Sequence, residues 1–204
     1  MACVTPPPNS QWHSAHSNLI LQRVQRPSHK GVAGAGWPSS LLVPPYAILS
    51  HTWGAGTDEV TSKDLTNGIG EGKPGYEKIR FCGDQAWRDG LQYFWIDTCS
   101  IGKANKGEFS PAINSMFPRY RNSTRCYAYL SDVSSSPSPL DANEEFNPSW
   151  WELDFRTSRW ATRGWTLQEV LAPSLVEFFS WQHKRLGDVR SLTLQIYEII
   201  GIPK

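Results

Sequence analysis

The sequence has no acidic residue before Asp58, no closely spaced cysteines and no apolar run near the ~20 residues that cross a membrane. It also has almost no net charge, with 20 Lys+Arg against 19 Asp+Glu in 204 residues. Each absence excludes a class. The balanced charge argues against a nucleic-acid binder, which carries a strongly basic total or a basic stripe. Without an apolar span the chain is expected to be soluble. Cys3, Cys82, Cys99 and Cys126 form no C-x-x-C pair. They therefore read as reduced, mostly buried thiols of a cytoplasmic protein rather than as a disulfide framework. A zinc site built from Cys82, Cys99, Cys126 and His51 would lack paired ligand spacing, so no metal is expected.

Two catalytic motifs are missing as well. No serine stands in a G-x-S-x-G elbow, which leaves a hydrolase triad without an anchor. The stretch Gly68–Gly75 is glycine-rich, but Lys73 stands where a Walker loop needs Gly. Pro74 replaces the hydroxyl residue that would hold magnesium. This stretch is expected to be a flexible surface loop.

What the chain has in quantity is aromatic residues: ten Trp, eight Phe and seven Tyr. The first 45 residues hold seven prolines. Residues 1–43 are therefore expected to form an irregular, poorly ordered leader, faintly like a transit peptide in composition. From residue 44 onward the pattern is that of a folded domain. Tyr46–Ser50, Tyr93–Asp97, Cys126–Leu130 and Leu175–Phe179 are continuous apolar runs of strand length. Between them, residues 76–89 have helical spacing closed by Gly90, and 112–120 have an apolar helix face that Pro118 should kink or shorten. A Ser/Pro/acidic insert occupies 134–149, a helix is expected at 163–171 before Pro173, and a last amphipathic helix carries Leu192, Ile196, Ile199 and Ile200. Continuous apolar strands alternating with helices predict an α/β fold of three layers, with a mostly parallel central sheet covered on both faces. Ligands bind such sheets outside the carboxyl ends of the strands. Here those ends are Ser50-His51-Thr52-Trp53, Asp97-Thr98-Cys99 and Ser131-Asp132.

Two constellations bear on chemistry. Cys99 near Asp97, with His51 on a neighbouring strand end, has the makings of a nucleophilic pair. The other reading is a small buried thiol beside a loop. The segment Ser158–Leu171 packs Trp160, Arg163, Trp165 and Glu169 around a helix start. Trp165 and Glu169 are spaced i, i+4 and so share a helix face. A carboxylate beside an aromatic plane suits a ribosyl ligand. The alternative is that both tryptophans anchor the core while Glu169 pairs with a nearby arginine.

Three blocks together resemble the fungal heterokaryon incompatibility (HET) domain. They are YAILSHTWG at 46–54, FWIDTCSIGK at 94–103 running on through AINSMFPRY at 112–120, and SRWATRGWTLQEVLAP at 158–173. CYAYLSDV at 126–133 and FFSWQHKRLG at 178–187 fit the same family, so the likeness covers about 44–204. Ser100 and Gly102 depart from its usual second block, where Cys and Asp are common. The family implies non-self recognition and regulated cell death, with self-association or other incompatibility proteins as partners. Relatives commonly continue further, which implies a missing sensor or regulatory region beyond Lys204.

The family is similar, more distantly, to TIR domains, many of which cleave NAD. That likeness places Glu169 on the TIR catalytic glutamate and implies hydrolysis of NAD as substrate, with no bound cofactor. Ser50, His51, Trp53, Asp97, Arg163 and Trp165 would line the pocket or position ribose and phosphate. The other implied class is a non-enzymatic oligomerising module or a degenerate copy.

Overall fold

The computed structural model describes residues 12–15, 19–23, 43–100, 116–135 and 150–200. Its centre is set by four strands: β3 (Ala47–His51), β4 (Tyr93–Trp95), β5 (Arg125–Leu130) and β6 (Val176–Ser180). These are the four apolar runs of the sequence, displaced by no more than two residues at either end. They pair in parallel in the order β4-β3-β5-β6. Edge strands add antiparallel neighbours. β7 (Arg185–Asp188) turns back along β6, while β2 (Leu19–Arg23) pairs with β4 and β1 (Trp12–Ala15) with β2. The sheet is thus mixed at its edges and parallel at its centre. Its outer strands β1 and β2 correct the expectation of an irregular leader at those nine residues, since backbone pairing to β4 needs no apolar periodicity. The remainder of 1–42, residues 101–115 and most of the 134–149 insert lie outside the described residues.

Side chains alternate across the pleat, so each strand feeds two cores. Ile48, Trp95, Cys126, Ala128, Leu130 and Phe178 face one layer. That layer is formed by α4 (Met116–Arg121), α5 (Trp150–Thr157), α6 (Thr166–Leu171) and α7 (Thr193–Ile200), through Met116, Tyr120, Phe155, Val170, Leu192 and Ile196. Ala47, Leu49, Phe94, Ile96, Tyr127, Tyr129 and Phe179 face the other. There they meet α1 (Ser62–Thr66), α2 (Tyr76–Arg88) and α3 (Asp97–Ser100), through Leu65, Ile79, Phe81, Cys82, Ala86 and Cys99. Both faces of the sheet are covered, as the continuous apolar strands predict.

Local chemistry sets the helix limits. Thr61 caps α1 by accepting from the Asp64 backbone, and Asp64 caps Thr61 in return. Gly90 ends α2 at φ +76°, a left-handed conformation that side chains resist. Pro118 does not break α4. It stands third among the six described residues of that helix, and residues 112–115 of the expected helix lie outside the described residues. Pro173 follows α6 at once, as expected.

The Gly68–Gly75 stretch is held more firmly than a flexible loop. Lys73 Nζ reaches Asp64 Oδ2 at 2.7 Å and the Glu59 carbonyl at 3.1 Å. Its cation helps hold the Asp64 carboxyl down at about 2.

Candidate functional site

In a sheet ordered β4-β3-β5-β6, the chain leaves β3 for one neighbour and returns past it to the other. The carboxyl ends of β3 and β5 then flank the topological switch point, where α/β folds place their ligands. Ser50 and His51 sit at that end of β3, and α6 presents Glu169 to it.

Ser50 Oγ donates to Glu169 Oε2 at 2.5 Å and accepts from Trp160 Nε1 at 2.6 Å. Arg163 grips the same carboxylate with both terminal nitrogens, at 3.1 Å to Oε2 and 2.8 Å to Oε1. Trp160 is fixed in turn by its core packing against Phe178 and by Thr166, whose hydroxyl donates to the Trp160 carbonyl at 2.6 Å. Glu169 is thus a fully sequestered carboxylate, with 0% of its side chain exposed. Arg163 lies over it and retains 18% exposure. Two fork-like N–H bonds plus a hydroxyl make a strong, directional arrangement.

A second cluster adjoins the first. Trp53 Nε1 donates to Asp97 Oδ2 at 2.8 Å, and the Thr98 backbone N–H donates to Asp97 Oδ1 at 2.6 Å. His51 Nε2 is 3.6 Å from the same Oδ1, too far for a hydrogen bond. Burial, followed by the charge of Glu169, raises the Asp97 carboxyl to about 6 despite Trp53, Arg163 and Thr98. His51 moves the other way. Burial first, then the charges of Lys78 and Arg163, holds its imidazole neutral, well below the ordinary histidine range, with only the Leu49 backbone acting against them. Neither ring nitrogen of His51 makes a well-formed hydrogen bond among the described residues. The Tyr120 hydroxyl donates to the Leu49 carbonyl at 3.2 Å, and burial plus the charges of Glu169 and Asp97 push its pKa up.

The expected constellation therefore gathers with one exception. Ser50, His51, Trp53, Asp97, Arg163 and Glu169 share one buried region at the carboxyl edge. The Trp165 side chain does not join them; the residue is 45% exposed. Its backbone is helical at the N-cap of α6 and accepts the Glu169 N–H at 3.2 Å, so the i, i+4 relation holds along the main chain while the indole stays at the surface. Trp160 takes the inward place instead. Of the two readings of this segment, the pairing of Glu169 with an arginine and the anchoring of one tryptophan in the core are both present.

Cys99 donates its thiol to the Val60 carbonyl at 3.3 Å on the α2 side of the sheet. Cys126 faces the opposite layer, so the four ligands of the zinc reading do not converge. Among the described residues no cluster of His, Cys, Asp and Glu could hold a metal ion. No described helix is long and apolar enough to cross a membrane.

Sequence reasoning misses a further pair, Glu59 and Lys78, which lies behind Trp53. Both are buried, 2.5 Å apart. Their separation of nineteen positions leaves no local pattern to find.

The model of the heterokaryon incompatibility protein family matches residues 46–169. A vegetative incompatibility protein, HET-E-1 of Podospora anserina, is 54% identical over 161 residues, 79% of this chain. The chain spans only 12% of that protein's length. No solved structure matches. The matched region runs from the start of β3 to Glu169 itself, taking in each residue of both clusters, and this chain belongs to the heterokaryon incompatibility (HET) family.

Proposed function

We propose that this domain acts in heterokaryon incompatibility, as part of non-self recognition and regulated cell death. Its proposed reaction is hydrolysis of NAD to nicotinamide and ADP-ribose. The observation carrying this reading is Glu169: a carboxylate at the switch point, separated from solvent by the Arg163 guanidinium.

Water supplies the oxygen that bonds to C1′ of the ribose, and one proton is released. The glycosidic C–N bond breaks with its electron pair going to the nicotinamide nitrogen, so the leaving group departs neutral. Positive charge builds on the ribose as that bond stretches, and a fixed carboxylate lowers the barrier electrostatically. Glu169 fills that role once Arg163 swings outward. A bidentate guanidinium serves phosphate as well as carboxylate, so the pyrophosphate of the substrate takes Arg163 while the ribose takes Glu169. Ser50 and Asp97 then position ribose hydroxyls, and His51 and Trp53 line the base pocket. Asp97, with its carboxyl near 6, is suited to accept the proton of the attacking water near neutrality. The TIR likeness supports the same assignment of Glu169.

A second reading has its own observation. The outward face of α6 is apolar, with Leu167 and Leu171 exposed beside Trp165, as a self-associating signalling module in the cytoplasm would require. One experiment separates the two. The purified chain is incubated at high concentration with NAD, and nicotinamide release is followed beside light scattering. Release that Glu169→Gln abolishes supports hydrolysis. Self-association without release, lost in Leu171→Glu, supports the module.

A further inference from the structure

The turn that carries Trp53 to Asp97 is held from behind by a buried ion pair. Lys78 Nζ, on α2, donates to Glu59 Oε1 at 2.5 Å and reaches the Thr52 carbonyl at 3.5 Å. The same Glu59 oxygen accepts the Gly54 backbone N–H at 2.5 Å. Trp53 therefore has both its neighbours pinned, Thr52 by the ammonium and Gly54 by the carboxylate. Glu59 is secured in turn, because Lys73 donates to its carbonyl at 3.1 Å.

The sequence makes room for this arrangement. A Cβ on Gly75 would stand 2.6 Å from the Asp58 carbonyl and 3.2 Å from Glu59 Oε2. Only glycine lets α2 begin close enough for Lys78 to meet Glu59. A buried ion pair costs desolvation that its own attraction often only offsets, so stability alone is a weak reason for placing one here. Its geometry supplies a better one.

We propose that Lys78, locked by Glu59, is a positioning residue of the site: the pair fixes the Thr52–Gly54 turn and so aims the Trp53 indole at Asp97. Its relevance to catalysis rests on the NAD reading, but the clamp itself does not. The clamp also puts a cation near His51 and Asp97, and Arg163, Glu169, Asp58, Lys73, the Cys99 thiol and the Tyr120 hydroxyl are further charged and titratable groups around that turn and its clamp.

The test uses nuclear magnetic resonance on the whole chain, so its failure is distinct from failure of NAD hydrolysis. The Trp53 indole N–H signal is assigned with Trp53→Phe. In the wild type it should lie at the hydrogen-bonded position and shift as Asp97 titrates near pH 6. The double variant Glu59→Gln/Lys78→Met buries no unpaired charge, and the glutamine side-chain carbonyl still accepts from Gly54. There the signal should move to the free-indole position and lose its pH transition, while Lys78→Arg should keep both. A folded double variant with an unchanged Trp53 signal overturns the proposal. Hydrogen exchange of the wild-type Gly54 amide is a second measurement that needs no variant. Protection comparable to β3 is expected, and exchange at the rate of an open loop overturns the clamp whether or not the double variant folds.

Discussion

Two polar networks sit at opposite ends of the same parallel strands, and they are built differently. At the amino end of β5, charges alternate and each acid is flanked by cations. Arg125 bonds Glu177 at 2.9 Å and lies 3.6 Å from Asp89, while Arg185 bonds Glu177 and Asp188 at 2.7 and 2.8 Å. The Tyr127 hydroxyl donates to Asp89 at 2.5 Å. Among these carboxylates and guanidiniums, every resolved shift favours the charged form: Asp188 is lowered and Arg185 raised. The carboxyl end has the opposite character. Asp97 and Glu169 repel one another in a dry setting, His51 is kept neutral without a well-formed hydrogen bond among the described residues, and a lysine is buried behind them. A network that only holds strands together settles its charges. One that leaves several groups strained, at the end of the sheet where ligands bind, has the character of a functional site.

The largest expected difference between the two ends is in activity. Glu169→Gln should reduce nicotinamide release by about 10²–10³-fold, the usual cost of losing one preorganised electrostatic contact. Glu177→Gln should leave the rate unchanged.

The next difference is in pH dependence, measured by urea unfolding across pH. Asp97 holds its proton more tightly folded than unfolded, with a pKa raised from 3.8 to about 6. Its contribution is therefore full below about 4 and is lost as pH rises to about 6, an effect of about 3 kcal/mol. Stability of the wild type relative to Asp97→Asn should fall over that interval. His51 gives the opposite slope: its lowered pKa means the unfolded chain binds more protons, so its contribution grows as pH rises toward 6.5. Asp188 has the lowered pKa of a paired surface acid, and its contribution is lost only as pH falls through that lowered value.

Smaller effects follow. Trp160→Phe keeps most of the ring that packs on Phe178 but removes the donor to Ser50. A loss of about 1–2 kcal/mol, read from the shift of the urea midpoint, is expected. Glu177→Ala at the amino end should cost about 1–2 kcal/mol, since Glu177 is buried and accepts from both Arg125 and Arg185, while those two arginines keep access to water.

Much of this architecture is legible in the residues. The parallel centre is written in four apolar runs, because strands buried on both faces need no polar alternation. Edge strands lack that signature. Arg185–Asp188 reads RLGD and joins the sheet through backbone pairing, and Trp12–Ala15 is equally featureless. The α5 helix escapes a reading of the sequence although Trp151 and Phe155 stand four apart and touch edge to face, because the polar insert before it masks its start. At the site, strand ends and the Trp-rich segment point to six of the seven residues named. Trp165 fails because i, i+4 spacing sets a shared face without deciding burial, and Trp160 from the preceding turn takes the inward place. Lys78 and Glu59, and the bond from Trp160 to Ser50, escape for a different reason: these partners are fixed by how distant segments pack, and nothing local records that.

The account stands most directly on nicotinamide release by three proteins assayed together: wild type, Glu169→Gln and Glu177→Gln. Release by the wild type and Glu177→Gln, with loss of about 10²–10³-fold in Glu169→Gln, is the predicted result. Equal rates for wild type and Glu169→Gln would contradict it and leave the carboxyl-edge cluster a structural network like its counterpart at the other end of the sheet.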